Sequence, residues 1–486
     1  MRKGLKSFMP VIGMLIVCLG IPGISESASQ SGVPSPESDP GEEPLALETQ
    51  TKTVALRGDD ERLRPESQFQ TWIGDTLLTL TGAVSTDLNY QRNLDLDFNR
   101  QRDRFRWNTD VAINAIFSFP HGFYLFTELA MEDELTFREH DPTRNDFQLQ
   151  VDELFFQGPF TTSLPLIFRV GRQQFFEERR WYLDDNFDAL RILFDPAPWH
   201  IRASVSVPVN NPNSQLRFFD DIDVNRSQLD GMIDVTYDFH PLEQKSKAGF
   251  YILVRDDYSA RDENPIWIGL RSYGRPKFKF DYNGNKTLQN LLKPRIKYWF
   301  DAAFVAGNVR SNRIRGFGLD IGATYIARKW AYEPYLTLGY AYGSGDSNPT
   351  NGTDSNFRQT GFQGNSGKFG GVVNFDYYGV LFDPELSNLH IFTVGVGMRP
   401  FEDSSIDVVY HHYEQDAPSV RIRSFDTAAN LNGLNSELGD EIDMVLGIRA
   451  LKNTRIRWRN GYFFPGPAFV KRDAAFETRM DIQVSF

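Results

Sequence analysis

Arginines and carboxylates alternate with aromatic residues in two stretches of this sequence. The stretch from Phe168 to Leu190 reads FRVGRQQFFEERRWYLDDNFDAL, and a second, from Arg455 to Phe464, reads RIRWRNGYFF. A guanidinium group stays charged at any physiological pH and binds a carboxylate through two parallel hydrogen bonds. Aromatic faces beside such groups stack on sugar rings. The residue types therefore indicate recognition of an acidic sugar polymer.

Catalytic chemistry finds little support in the sequence. Seven histidines are scattered along the chain, and the only adjacent pair is His411 and His412. A hydrolase needs a nucleophile and an orienting acid that converge on one base, whereas neighbours in a strand face opposite ways. Cys18 is the single cysteine, so no thiolate metal site is possible. We therefore expect no enzyme, no cofactor and no metal site.

The N-terminus has the features of an export signal. Arg2, Lys3 and Lys6 precede an apolar run and then small residues, the order of a secretory signal. We assign residues 1–28 to the signal and 29–70, rich in Pro, Ser, Gly and acids, to a disordered periplasmic leader.

The remaining composition favours a membrane β-barrel. No later stretch approaches the roughly 18 to 20 apolar residues of a membrane-spanning helix, yet aromatic residues make up 14% of the chain. Outer-membrane barrels resolve this combination, because each strand is half apolar and aromatic residues mark both interfaces. A secreted soluble β-protein is the alternative.

Period-two alternation predicts the strands. In RFRWNTDVAINAIFSF, from Arg104, apolar residues occupy one face and polar residues the other. The last eleven residues alternate in the same way and end on Phe486, which resembles a terminal strand of bacterial outer-membrane barrels. We predict an all-β fold, a closed antiparallel transmembrane β-barrel of about 18 strands over residues 71–486.

The connections predict which way the strands run. Short turns at Phe119, Asp195, Arg399 and Leu451 suit the periplasmic side. Long polar segments suit the exterior, and we place the segments Gly343 to Leu389 and Glu414 to Asp440 there. The segment Tyr273 to Pro294 is long on the periplasmic side and contains a possible short helix.

Eighteen strands leave an aqueous lumen, and the alternation sorts basic residues into it, although the chain carries a net charge of −12. A positive channel concentrates anions. The alternative is a purely structural role, in which these side chains form ion pairs with inward acids such as Asp110 and Asp481. The predicted lumen residues from the strand register are Arg104, Arg106, Arg169, Arg202, Arg295, Lys297, Arg455, Arg457 and Arg459.

Several motifs resemble the alginate export family of outer-membrane barrels. They are FRVGRQQFFEERRWYLDDNFDAL, GYAYGSGDSN, NFRQTGF, ELSNL and RIRWRNGYFFPGPAF. The resemblance implies a monomeric 18-stranded barrel whose basic lumen passes a linear polyuronate outward without a cofactor. It also implies lumen positions for Arg169, Arg172, Arg457 and Arg459.

Two details of the first motif follow from the resemblance. Simple alternation turns Arg172 toward lipid, so either Arg172 lies above the membrane edge or a bulge at Gly171 turns it inward, and the match favours the bulge. The strand register places Phe176 to Asp188 in an external connection, and the match implies that Asp184 and Asp188 fold over the pore there as constriction acids. Read from the residues alone, Glu177, Glu178, Asp184 and Asp185 offer calcium binding as a weaker alternative, because no recognisable loop motif accompanies them.

The sequence also departs from the family pattern. The periplasmic loop that closes the lower mouth of the family's best-known member is reduced here to ALKNTR before Arg455. Asp152 and Asp383 stand where that member has basic residues. The leader is longer than expected, and disorder and docking of a periplasmic scaffold both remain open.

The expected function is therefore passive export of an anionic exopolysaccharide, alginate or a similar polyuronate, across the bacterial cell outer membrane. The expected partners are the polysaccharide, outer-membrane lipid and a periplasmic export scaffold, with no nucleic acid. The alternative is a general or anion-selective porin for small carboxylates or phosphate.

Overall fold

The computed structural model describes residues 68–99, 103–138, 143–161, 164–209, 228–239, 246–258, 262–276, 295–423, 429–451 and 453–486. The predicted signal, nearly all of the predicted leader and the possible helix after Tyr273 lie outside the described residues. No helix within these ranges is long and apolar enough to cross a membrane.

The first strands are β1 (Phe69–Ile73), β2 (Thr76–Arg92), β3 (Arg104–Ser118), β4 (Tyr124–Arg138), β5 (Arg144–Pro159), β6 (Leu166–Phe176), β7 (Asp184–Phe194) and β8 (Trp199–Pro208). They are followed by β9 (Gln228–Phe239), β10 (Ser246–Asp257), β11 (Glu263–Gly274), β12 (Arg295–Val309), β13 (Asn312–Ile326) and β14 (Tyr335–Gly343). Three two-residue strands come next, β15 (Thr353–Asp354), β16 (Ser366–Gly367) and β17 (Phe375–Asp376). The last strands are β18 (Leu389–Met398), β19 (Ser404–Glu414), β20 (Glu437–Ile448), β21 (Thr454–Pro465) and β22 (Ala475–Ser485).

Eighteen of these strands form one closed antiparallel barrel. Each strand from β2 to β14 pairs with the next, β14 pairs with β18, and β18 to β22 continue the series. β22 pairs with β2, from Ala83 opposite Ser485 to Arg92 opposite Phe476, and so closes the sheet. β1 folds back on β2 as a short hairpin. The predicted fold class and strand number are confirmed.

The two faces of each strand differ as the alternation predicted. In β22, Met480 and Val484 are exposed, whereas Glu477 and Asp481 are buried. In β21, Trp458 is exposed, whereas the next residue, Arg459, is buried. The apolar row thus faces lipid and the polar row faces the barrel interior, which we call the lumen.

The short predicted turns all join consecutive strands at one end of the barrel. Residues 119–123 join β3 to β4, 195–198 join β7 to β8, 399–403 join β18 to β19, and 449–453 join β20 to β21. Since short turns lie on the periplasmic side of bacterial barrels, we call this the periplasmic end.

The long segment between β14 and β18 does not project outside, as the sequence suggested, but folds into the lumen. We call residues 344–388 the inserted segment. Phe357, Phe382 and Leu386 are at most 1% exposed. The sequence GGVVNFDYYGVLF within this segment is too apolar to stay in water, and the barrel interior is where its side chains become buried.

The tip of the inserted segment reaches the periplasmic end of the barrel. Lys297, near the start of β12, donates from Nζ to the carbonyl oxygen of Phe369 at 3.0 Å. Arg399, in the turn after β18, donates from Nη2 to the carbonyl oxygen of Gly370 at 2.9 Å. The segment leaves β14 at the opposite end, so it crosses a distance on the order of 30 Å, the length of a nine-residue strand.

Candidate functional site: the barrel lumen

Hydrogen bonds attach the inserted segment to one side of the lumen wall. Arg255 of β10 donates from Nη2 to the carbonyl oxygen of Thr360 at 2.9 Å, and Trp267 of β11 donates from Nε1 to that of Arg358 at 2.8 Å. The hydroxyl of Tyr378 donates to Asp320 of β13 at 3.0 Å. The segment therefore narrows the lumen from this side.

Two carboxylates of β20 anchor the apolar part of the inserted segment. The backbone amides of Leu381 and Phe382 donate to the two oxygens of Glu441 at 2.7 and 3.0 Å. The amide of Val380 donates to Asp443 at 3.2 Å. Three successive amides thus point at two buried acids, an arrangement that holds this backbone in one conformation.

Arg179, in the connection between β6 and β7, is a second anchor that the sequence analysis missed. Its Nε lies 3.0 Å from Asp301, and its Nη2 lies 2.5 Å from Asp320. Its guanidinium stacks on Tyr377 of the inserted segment, 4.7 Å from the ring centroid. Burial disfavours the charge on Arg179, but the neighbouring carboxylates outweigh burial and raise its pKa.

The three predicted lumen arginines of β21 lie on the inward face, where acids neutralise them. Arg457 donates from Nε to Asp481 at 2.7 Å, and Arg455 lies 3.9 Å from the same carboxylate. Arg459 donates from Nη1 to Asp376 of the inserted segment at 2.6 Å. The arginines of this strand therefore follow the alternative in which inward basic residues form ion pairs with inward acids.

The predicted basic residues at the two ends of the lumen make different local contacts. Arg104, at the extracellular end of β3, donates from Nε to Oε1 of Gln91 at 2.6 Å. Arg106 lies two residues further along the same face of β3. Arg295 begins β12 at the periplasmic end, and Lys297 of this strand holds the tip of the inserted segment.

Arg169 and Arg202 lie on the wall formed by β6, β7 and β8, together with Arg191, which the sequence analysis missed. Arg169 donates from Nε to Oε1 of Gln157 at 2.7 Å. It is directly opposite Arg191 in the pairing of β6 with β7. The alternation in NFDALRILF could have revealed Arg191, because apolar residues flank it on both sides.

The structure corrects the predicted orientation of Arg172. Arg172 lies opposite Leu154 of β5, which is 45% exposed, and opposite Asp188 of β7. It therefore belongs to the outward row, and it forms a bidentate ion pair with Asp188 at 3.0 and 3.3 Å. Gly171 has a φ of 122°, but the register with β5 and β7 continues through it.

The structure also corrects the predicted roles of the constriction acids. Asp184 begins β7 instead of lying in an external connection, and Asp188 lies within that strand on the outward face. Asp184 lies 3.4 Å from Nη1 of Arg180, and its amide donates to the carbonyl oxygen of Phe362. Asp184 therefore fastens the inserted segment at the extracellular rim, and neither acid narrows the pore by folding over it.

Asp152 and Asp383, the two acids at which the sequence was expected to depart from the family pattern, lie at irregular positions. Asp152 is the extra residue of a bulge in β5, because Glu128 of β4 pairs with Glu153 and the next pairing is that of Leu129 with Val151. Asp383 belongs to the inserted segment and has a φ of 28°.

The adjacent histidines lie on opposite faces of β19. His411 is fully buried and lies 3.0 Å from the hydroxyl of Thr393, whereas His412 lies outward, 2.8 Å from Asp440. Within the described ranges, no group of three or more His, Cys, Asp or Glu side chains could hold a metal ion.

Comparisons with known sequences identify a family. The sequence model of the family described as alginate export matches residues 83–482. The alginate production protein AlgE of Azotobacter vinelandii is 23% identical over 189 residues, which are 34% of this chain and 39% of that relative. The chain thus matches well under half of the length of this curated relative.

Comparisons with solved structures identify the fold. OccD3 (OpdP) of Pseudomonas aeruginosa is 11% identical, with 84% of this chain and 91% of that chain covered and a TM-score of 0.52. The outer membrane protein opdK of the same organism is 10% identical, with 84% and 98% covered and a TM-score of 0.50. At these identities the likeness shows the barrel fold alone.

Proposed function

The chain belongs to the alginate export family of bacterial outer-membrane β-barrels, and from this premise we propose that it is a channel for export of an acidic polysaccharide. The observation that carries the proposal is the family match over residues 83–482. The polymer is alginate or a similar polyuronate, a polysaccharide whose sugars carry carboxylates. It leaves the periplasm passively, down its own gradient.

The contacts of the inserted segment suggest the path of the polymer. The contacts described above join the inserted segment to β7, β10 to β13, the turn after β18, β20 and β21. The polymer then follows the remaining wall, which is formed by β22, β2 to β6, β8, β9 and the periplasmic half of β7 and carries Arg169, Arg191 and Arg202 on its periplasmic half. This wall offers charged donors, whereas the arginines of β21 are already neutralised.

Planar-bilayer recordings of the purified barrel test the proposal. We expect a channel that prefers anions, because guanidinium groups in low-dielectric walls concentrate them, and a current that polyuronate blocks. Dextran of similar length, which lacks the carboxylates, is the matched control. A cation-selective channel that polyuronate leaves open would contradict the proposal.

An anion-selective porin for small carboxylates or phosphate is the second candidate, because the same arginines would attract small anions. Liposomes that contain the barrel separate the two candidates. If gluconate and phosphate enter but externally added polyuronate neither enters nor slows them, the porin is correct.

The proposed partners are outer-membrane lipid and a periplasmic export scaffold. Trp458, exposed on β21, is one of the aromatic side chains suited to the membrane interface. Crosslinking in cells from residues of the leader, 29–70, would identify the scaffold.

A further inference from the structure

Two arginines continue the lipid-facing row of β13 at the extracellular end of the barrel. Arg313 and Arg315 are exposed, and they alternate with Ile314 and Gly316, which are buried on the lumen side. Arg315 lies directly opposite Ala306 of β12, whose small side chain leaves room for the arginine stem. Both side chains therefore project from the outer surface of the barrel. We call Arg313 and Arg315 the rim arginines.

The outward row of β13 locates the rim arginines relative to the lipid. From the periplasmic end, this row reads Tyr325, Ala323, Ile321, Leu319 and Phe317, and then Arg315 and Arg313. The span from Tyr325 to Phe317 is about 26 Å along the strand, which in a tilted strand fits within an apolar band about 25 Å tall. Arg315 is the next outward residue, about 7 Å further along, and so lies at the level of the lipid headgroups.

Aromatic side chains on the neighbouring strands support this depth. Phe317 lies directly opposite Phe304 of β12, and the two side chains are 42% and 39% exposed. The ring of Tyr342 in β14 lies 6.4 Å from that of Phe317. Aromatic residues of this kind mark the interface between lipid and water. The rim arginines therefore stand just above the apolar outer surface.

The rim arginines receive no counter-ion from the barrel. Within the described ranges, neither guanidinium forms an ion pair or a hydrogen bond with another residue. Arg172, the outward arginine of β6, differs because Asp188 lies 3.0 Å from its Nε. The two rim charges are about 7 Å apart along the strand and repel each other. Their neutralisation depends on an anion from outside the chain.

Phosphate is the anion that this position in the membrane offers. The outer leaflet of a bacterial outer membrane consists of lipopolysaccharide, which carries phosphates at its headgroup. A guanidinium group binds a phosphate through two parallel hydrogen bonds and stays charged at any physiological pH. The chain as a whole is acidic, with a net charge of −12, so the rim arginines provide a local surface of complementary charge.

We propose that the rim arginines bind a phosphate of lipopolysaccharide and that the acyl chains of this lipid lie against Phe317, Phe304 and Ile321. The inference rests on the location of the barrel in the outer membrane. It does not rest on the proposed function, because neither arginine faces the lumen. The bound lipid fixes the height of this side of the barrel in the outer leaflet.

Native mass spectrometry of the full-length barrel in detergent, titrated with lipid A that carries both phosphates, tests the site. We expect the double variant Arg313→Gln and Arg315→Gln to bind this lipid at least tenfold more weakly. The matched control is Arg328→Gln with Lys329→Gln, which removes two charges from exposed positions in the periplasmic turn after β13 and should leave the affinity unchanged. Equal affinities of the first double variant and the wild-type barrel would overturn the proposal.

The wild-type barrel gives a second readout that needs no variant. It should bind phosphorylated lipid A at least tenfold more tightly than lipid A from which both phosphates have been removed, and equal binding of the two lipids would contradict the site. A large excess of inorganic phosphate should not displace the lipid, because the acyl chains add apolar contacts. Full displacement by inorganic phosphate would assign the site to the free ion, and displacement by tetragalacturonate would assign it to a soluble polyuronate. Either result would overturn the lipid site.

Discussion

At the scale of the residue, charge does not reveal which side of the barrel a side chain faces. Arg169 and Arg172 are three positions apart in one strand, yet Arg169 lies in the lumen and Arg172 in the outward row. The outward guanidinium is tolerated because Asp188 neutralises it in a bidentate pair. Simple alternation predicts this orientation, whereas the family resemblance led to the wrong face.

The pair of Arg172 and Asp188 gives a stability prediction. Replacement of Arg172 by Gln removes the bidentate ion pair with the carboxylate of Asp188 and should lower the free energy of unfolding by about 1 to 3 kcal/mol. The estimate lies below that for a fully buried pair because the Asp188 side chain is 29% exposed. Urea unfolding in detergent measures it.

The double variant Arg172→Gln and Asp188→Asn is the control. It replaces both charges by neutral amides and should recover part of the lost stability. Ion selectivity should stay that of the wild-type channel in both variants. A changed selectivity would mean that Arg172 faces the lumen after all.

At the scale of the element, alternation predicts the strands well and the inserted segment poorly. The strand of residues 475–485 could be read residue by residue, because a sheet between lipid and water imposes a period of two. Residues 344–388 have no period, and their glycines and asparagines are typical of exposed loops. The apolar run from Val372 to Phe382 was the available signal of burial.

The surroundings of Arg169 and Arg202 show a second limit at this scale. Alternation placed Arg169 and Arg202 inward, but the lack of an ion partner depends on which strands are neighbours and on their stagger. Asp234 lies opposite Arg202 in the register, and only the fold shows that Tyr182 and Thr236 occupy its oxygens. A single sequence does not contain this information.

The attachment of the inserted segment predicts that it stays in place during transport. A Cβ atom built on Gly371 would lie 3.3 Å from Cβ of Ser405 in β19, which is close to the spacing of disulfide-bonded cysteines. The variant Gly371→Cys with Ser405→Cys should therefore form a tether under oxidising conditions. We expect the conductance and the polyuronate block to be the same before and after reduction.

The single-cysteine variants are the controls for this tether, since Cys18 lies within the predicted signal and outside the barrel. Polyuronate passage that disappears on oxidation and returns with dithiothreitol, in the double variant alone, would show instead that the segment is a moving gate.

At the scale of the whole molecule, the family resemblance predicts a monomer, and the closed sheet agrees with it. β22 pairs with β2 of the same chain, so the barrel has no open sheet edge that a second copy must cover. Each chain therefore encloses a complete lumen, and the family resemblance implies that it does so as a monomer. Native mass spectrometry should give one chain of about 55.7 kDa less the signal, whereas a trimer would favour the porin.

The inserted segment also constrains biogenesis. Because this portion of the chain touches β7 as well as β21, and its tip lies beside the turn after β18, we expect it to fold inward before β22 closes the wall against β2. The growing sheet would then close around the inserted segment, which offers the last strands, β18 to β22, a surface to pack against. A substitution that disrupts the packing of the inserted segment, for example at Phe382, should therefore lower the yield of assembled protein in the membrane more than it alters transport by the barrels that do assemble.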